Sequence, residues 1–424
     1  MKRIVSALDK LKWGKRTYVV FLLCAMTAIA LPAQTLTTLF KFDGPDGVYP
    51  TGPLVQGTDG NLYSTTGAGG TNCIENLYAD FSCGTAFKIT ANGTLTTIYD
   101  FCAHTKCAAG FSPGALVQAT NWDFYGTTNF GGTGAEACPL PDGCGTIFEI
   151  TPSGTPTAIY TFCSQSGCTD GYQASGALVP GTDGNFYGTT YSGGNEYCLG
   201  GCGTIFMITP AGTLTTLYSF NDTDGAYPAA GLVQGTDEDF YGTTKGGGAT
   251  FDGTVFKITP SGRLTTLYSF CSQSGCTDGA DPVGTLVQAT NGDFYGTTMM
   301  GGASCTVGVG SFQCGTVFKI TAGGTLTTLH RFCLQSGCPD GYQPSAGLIQ
   351  ATDGDLYGTT GGGGANGGGT VFKITPSGTL TTLYSFNGTD GSGPSGLVQY
   401  TDGNFYGTTD GGEATRCPQA CARL

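Results

Sequence analysis

The sequence predicts an all-β protein, a β-propeller of about seven four-stranded blades, and three observations carry that prediction. Glycine fills 74 of 424 positions, against a usual share of about 7%, which excludes long helices because each interior Gly weakens one. The chain is nevertheless 39% hydrophobic with 25 Phe and 21 Tyr, too apolar to stay disordered. Three short phrases also recur along the whole length at intervals of roughly 50 residues, the period of propeller blades.

The first phrase is Phe-Tyr-Gly-Thr-Thr or a close variant, with its Tyr at 63, 125, 187, 241, 295, 357 and 406. The second is Gly-Thr-(Val/Ile/Ala)-Phe-(Lys/Glu/Met)-Ile-Thr, beginning at Gly84, Gly145, Gly203, Gly253, Gly315 and Gly369. The third is typified by residues 213–220, Thr-Leu-Thr-Thr-Leu-Tyr-Ser-Phe. β-Branched and aromatic runs of this length are strands. Asp-Gly-Asn and Pro-Ser-Gly between them supply the positive φ of tight turns. Each unit therefore reads as four antiparallel strands with Leu-Val-Gln as the first. The last strand is partly apolar on both faces, so the sheet must be sandwiched between like neighbours.

Six complete blades are expected at residues 54–101, 116–162, 178–220, 232–270, 286–332 and 348–386. A seventh, residues 397–412 with 35–42, would be shared between the chain ends. Residues 413–424 do not match its expected third strand, so that blade is predicted to be incomplete or the chain truncated. Residues 34–424 thus form one repeat domain.

Residues 1–33 read as a secretory signal peptide: six Lys or Arg before residue 17, an apolar run from Tyr18 to Leu31, then Pro32 and Ala33. The run is shorter than the roughly 20 residues of a membrane span, so no membrane insertion is expected after cleavage. Removing the segment takes six basic and one acidic residue from the chain's 17 and 30, leaving 11 and 29. So acidic a surface excludes nucleic acid as a partner.

Strung in this order, the Leu-Val-Gln, Asp-Gly-Asn-Phe-Tyr-Gly-Thr-Thr, Gly-Thr-Val-Phe-Lys-Ile-Thr and Leu-Thr-Thr-Leu-Tyr-Ser-Phe phrases resemble the GloVer tandem-repeat proteins, the extracellular "choice-of-anchor" family. The resemblance spans nearly all of residues 35–412. It implies a secreted or surface-attached bacterial repeat protein of unassigned activity and supplies no catalytic residues. The chain departs from that pattern in lacking a sorting tail.

Eighteen of the 19 cysteines fall into nine close pairs. Four follow the last strand of a blade at identical spacing: Cys102/Cys107, Cys163/Cys168, Cys271/Cys276 and Cys333/Cys338. Five lie between second and third strands: Cys73/Cys83, Cys138/Cys144, Cys198/Cys202, Cys305/Cys314 and Cys417/Cys421. A loop lacking one member lacks both, which marks bonding partners, and in an exported protein these are disulfides. Zinc would need four ligands. In antiparallel blades both loop classes emerge at one end, so all nine pairs decorate one face.

Catalytic motifs are absent. With only His104 and His330, no His-based triad or His-rich metal site can be built. No cofactor is expected; residues 43–47, 222–225 and 390–391 alternate carboxylates and carbonyls as calcium loops do, yet lack a Glu to complete the cage. The variable positions after each Gly-Thr-Thr are more informative, because invariant flanks hold unlike side chains in equivalent places. Asn129, Phe130, Tyr191, Lys245, Met299 and Met300 are accordingly expected to line a recognition surface for a glycan or protein. The leading reading is a secreted, non-catalytic binding module. The alternative is a propeller carbohydrate-active enzyme, of lyase or lactonase type, using acidic residues or calcium in the central channel.

Overall fold

The computed structural model describes residues 35–71, 83–102, 107–133, 138–140, 142–174, 176–302, 314–412 and the backbone of 419–423. The signal-peptide expectation and Cys73, Cys305 and Cys417 lie outside these residues, as does His104. Among the described residues the extended elements are all strands, with no α-helix and only single 3-10 turns at Ser166–Cys168 and Ser274–Cys276.

The strands build six antiparallel blades of a β-propeller, each with four strand positions; in the first the inner position is split between Val48–Pro50 and Val55–Gln56, both paired with Leu62–Ala68. A representative blade runs Val233–Gln234, Phe240–Thr244, Thr254–Ile258 and Leu264–Ser269 from the axis outward. Its second and third strands are in register at Tyr241↔Lys257 and Thr244↔Thr254, and a bulge follows Val255. The bulge recurs between third and outer strands in all six blades, adding the local twist that lets neighbouring blades nest. The inner strand of the second blade, Phe111–Gln118, begins earlier than its sequence pattern suggests and crosses Pro113 at an irregularity in the pairing.

Both ends of the described chain enter one further four-stranded sheet. Ser392–Gln399 is followed outward by Phe405–Gly411, Gln419–Arg423 and Thr37–Phe42. The expectation that nothing after residue 412 would supply a third strand is corrected: Gln419 pairs with Phe42, and Arg423 with both Thr37 and Tyr406. Ladder bonds use backbone N–H and C=O groups, so a segment outside the repeat phrase can still take the strand position. The same strand corrects the place expected for Cys421. Instead of ending a loop between second and third strands, Cys421 sits inside the third strand, its backbone opposite Phe40 on one side and Thr408 on the other.

The repeated phrases are spent on joining blades. In five copies the Tyr of this phrase packs on the Phe of the next, as in Tyr187 on Phe240 at 4.0 Å and Tyr241 on Phe294 at 3.9 Å, while Leu356 and Leu62 take the Phe place after Tyr295 and Tyr406. The outer-strand Phe meets the next blade's third-strand Phe edge-on, as in Phe220 with Phe256 at 5.3 Å. In five copies the first Thr donates to the next inner strand, as in Thr189 Oγ1 to Ala230 O and Thr297 Oγ1 to Ala346 O, both at 3.0 Å, whereas Thr243 Oγ1 has no partner among the described residues. The second Thr bonds inside its own blade, Thr190 Oγ1 with Thr204 Oγ1 at 2.8 Å. Glycine precedes them because the third-strand Phe lies directly over it: a Cβ on Gly242 would sit 2.6 Å from the Phe256 ring.

Candidate functional site

Small residues surround the axis. A cavity of about 750 Å³ is lined by Gly52, Ala115, Gly176, Gly231, Gly284, Gly347 and Gly396, one inner strand from each sheet. Among its lining residues Asp410 alone carries a carboxylate and none carries a cation. Tyr49 and Asp410 stand where the cavity reaches the end of the blades that bears the disulfides.

At that mouth one backbone feature repeats around the axis. Tyr49, Ser112, Gln173, Tyr227, Asp281 and Gln343, with Gly393, occupy equivalent positions at the start of the inner strands, and all have φ between +53° and +59°. Non-Gly residues take this left-handed region at a cost of about 1–2 kcal/mol each, so six copies represent strain retained at one place. Each answers the variable residue at the end of its own second strand: Tyr191 N donates to Gln173 O, Lys245 N to Tyr227 O, Met299 N to Asp281 O and Gly361 N to Gln343 O, at 2.9–3.1 Å.

The residues singled out from the sequence can now be located. Asn129 and Phe130 are half-buried; Asn129 Nδ2 donates to Ser112 O at 3.3 Å and Phe130 stacks on Phe111 at 5.4 Å. Tyr191 stacks at 5.2 Å on Tyr227 of the next blade. Exposed Lys245 reaches Asp281, again in the next blade, at 3.9 Å. Met299 and Met300 are half-buried, and Met300 pairs with Ala280 through its backbone. The structure thus brings Tyr191 and Lys245 against inner-strand partners that the sequence reading did not single out. The signal was available: the frame Gly-x-X-Pro, with Ala in the third copy, holds X at positions 49, 112, 173, 227, 281, 343 and 393.

Disulfides form the rim. Six of the expected pairs are bonded: Cys102–Cys107, Cys138–Cys144, Cys163–Cys168, Cys198–Cys202, Cys271–Cys276 and Cys333–Cys338. Cys83 and Cys314 are also disulfide-bonded. The expected Cys417–Cys421 bond lies outside the described residues. The sulfurs of Cys144, Cys163 and Cys168 lie within 4.8 Å of one another, so the two loop classes meet at one end of the blade; being bonded, they offer no thiolate to a metal.

The carboxylates of the calcium-like loops serve as turn clamps. Asp46 accepts from Asp43 N at 2.9 Å, Asp224 from Asn221 N at 3.1 Å and Asp390 from Asn387 N at 2.9 Å. His330 Nε2 lies 2.9 Å from Asp340, the place where Tyr218 and Tyr384 meet Asp224 and Asp390 in other copies. Desolvation raises Asp281, opposed by Lys245 and reinforced by Asp252. Asp410, open to solvent yet set among cavity walls, is pushed up to about 6 by desolvation.

A model of the Gloeobacter/Verrucomicrobia repeat matches residues 78–309 and 276–417. No curated protein matches the chain. Among solved structures, virginiamycin B lyase from Staphylococcus aureus is similar at a TM-score of 0.58 and 16% identity, covering 92% of this chain and 99% of that one. Streptogramin B lyase gives 0.56 and 17%, covering 92% and 97%. The extracellular domain of a hybrid two-component system from B. thetaiotaomicron gives 0.52 and 10%, with 92% and 39% covered. At these identities the likeness is one of fold alone. Among the described residues no helix is long and apolar enough to cross a membrane.

Proposed function

The chain belongs to the Gloeobacter/Verrucomicrobia repeat family, and from that premise we propose that it is an exported binding module that recognises a glycan or protein at the disulfide-rimmed mouth of its channel. One observation carries the reading: equivalent, left-handed backbone positions hold unlike side chains, Tyr, Ser, Gln, Tyr, Asp, Gln and Gly, inside a frame that otherwise repeats. Strain kept in every copy while identity varies suits a surface selected for recognition and not for packing. Bonded cysteines and the basic-then-apolar N-terminus support export. In this reading the sheet shared by the chain ends closes the ring as a seventh blade. Supporting that closure, Tyr357 stacks on Phe405 at 4.2 Å and Phe42 meets Phe87 at 5.2 Å, repeating the contacts between other blades.

The test is a glycan and protein array probed with the mature, oxidised chain, then with Tyr49→Ala, Tyr191→Ala, Lys245→Ala and Met299→Ala combined. Loss of the captured ligand is the expected result. Unchanged binding by the quadruple variant removes the channel mouth as the recognition surface.

A second reading, an enzyme of lyase or lactonase type acting in the channel, rests on Asp410, whose raised carboxyl in a cavity is the kind of group general acid–base catalysis uses. One lining carboxylate offers too few oxygens for calcium, which takes about 6–8. Turnover of virginiamycin B that disappears in Asp410→Asn would favour this second reading.

A further inference from the structure

The ring of variable residues is uneven, and its third to fifth blades carry a continuous arc. Tyr191 and Tyr227 stack with planes 29° apart. Lys245 N donates to Tyr227 O at 3.1 Å, and Lys245 Nζ lies 3.9 Å from Asp281 Oδ2. Asp281 is only 7% exposed, and its buried Oδ1 receives no hydrogen bond among the described residues. A buried carboxylate oxygen without a donor is costly, and an ion pair at 3.9 Å is too long to be a hydrogen bond. The site thus keeps acceptor capacity that its own residues do not use.

Resting on the channel-mouth reading, we propose that this arc is a subsite for a neutral pyranose. A hydroxyl is the group that fits between Lys245 and Asp281, since it accepts from an ammonium and donates to a carboxylate at once. An oxygen about 2.8 Å from both Lys245 Nζ and Asp281 Oδ2, the carboxylate oxygen that faces the lysine, would turn the long ion pair into two short, charge-assisted bonds. Lysine and aspartate cancel in charge, so neither an anionic nor a cationic ligand is favoured. The Tyr227 ring beside them supplies an apolar face for the C–H side of a sugar ring. Phe251 in the adjoining loop is 68% exposed, and a Cβ built on Gly246 would lie 3.4 Å from the Tyr227 ring and 3.8 Å from the Phe251 backbone oxygen.

Titration calorimetry of the oxidised full chain with cellohexaose, xylohexaose and mannohexaose tests the subsite. At least one of the three binds, Asp281→Asn weakens it on the order of tenfold, and Tyr227→Ala weakens it by at least as much. Tyr227→Phe, which keeps the ring, retains binding. Thermal unfolding of each variant separates lost recognition from lost folding, and the near-isosteric Asp281→Asn still decides the matter if Tyr227→Ala fails to fold. The subsite is overturned if none of the three saccharides binds, or if Asp281→Asn and Tyr227→Ala both stay within about twofold of the parent. If a protein ligand found on the array is lost with the quadruple variant while no saccharide binds, the channel-mouth reading stands and the sugar subsite falls. If no ring substitution changes any binding, both fall.

Discussion

The two ends of the blades are made from the same strands, but four carboxylates at one end and four at the other are shifted in opposite directions. At the tight-turn end, Asp59, Asp183, Asp237 and Asp353 each accept from a Tyr hydroxyl in the following strand at 2.7–2.9 Å. Desolvation pushes these carboxyls upward, but the hydrogen bonds outweigh it and hold them below the ordinary value. This end is also tied between blades, with Thr182 N donating to Gln234 Oε1 at 3.0 Å and Thr236 N to Gln288 Oε1 at 2.9 Å. At the mouth end, Asp46, Asp252, Asp281 and Asp410 are raised, chiefly by desolvation. Asp123 departs from the pattern for a visible reason: it is raised by desolvation and then by Glu149, which replaces the Lys that other copies carry in the third strand, such as Lys257 beside Asp237 at 2.8 Å. One end is satisfied and locked; the other, although Asp224, Asp340 and Asp390 are clamped there, also retains backbone strain and, at Asp281 Oδ1, a buried acceptor without a donor among the described residues.

The contrast breaks first at the locked end. Tyr241 is fully buried, stacks on Phe294 and donates to Asp237, so Tyr241→Ala should cost about 4 kcal/mol, read as a fall in the denaturant midpoint. A cost near that of a surface change would refute the idea that these phrases join the blades. Next comes the rim. Replacing Cys163 and Cys168 with Ser opens a short disulfide loop and should cost about 2 kcal/mol, with the first proteolytic cut falling on the mouth end; cuts first appearing in the tight turns would reverse the assignment of stiffness. Smaller still is Tyr241→Phe, which removes only the hydroxyl and should cost about 1 kcal/mol because Lys257 still compensates Asp237.

How much of this was legible follows from what repeats. The strand phrases are read directly because the same side chains meet the same neighbours in each blade, and the cysteine pairs because their members come and go together. The left-handed ring was missed because its side chains share nothing: Tyr227 and Asp281 look unrelated until the invariant Gly before and Pro after them are aligned. Half of each contact was nevertheless foreseen, since Tyr191 and Lys245 vary inside a recognisable phrase. The strand Gln419–Arg423 escaped because its place in the sheet depends on backbone pairing to Phe42 and Tyr406 and not on the repeat's side chains. Cys421 was misplaced for the same reason, its short spacing from Cys417 matching the loop pairs while its backbone belongs to a ladder. Asp281's missing donor is invisible in any sequence, being a property of what surrounds the residue.

The smallest effect discriminates best, because the two ends should bend the pH profile in opposite senses. A carboxyl held below its ordinary value, like Asp183, contributes stability that is present above the ordinary carboxylate range and is lost as pH falls through its folded pKa. Asp410 is raised from 3.8 to about 6, so the fold prefers its protonated form; that contribution is full below the unfolded value and is lost as pH rises through about 6. Denaturant midpoints measured from about pH 3 to about pH 7 should therefore show a modest decline between the two Asp410 values that Asp410→Asn flattens, with equal or greater stability at neutral pH. Asp183→Asn should leave that decline in place and instead blunt the loss on the acid side, at a cost near neutrality from the weakened Tyr187 and Asn185 bonds. Identical profiles for the two variants would mean that the ends of the blades do not differ electrostatically, and the mouth would lose the unmet demand that marks it as the binding end.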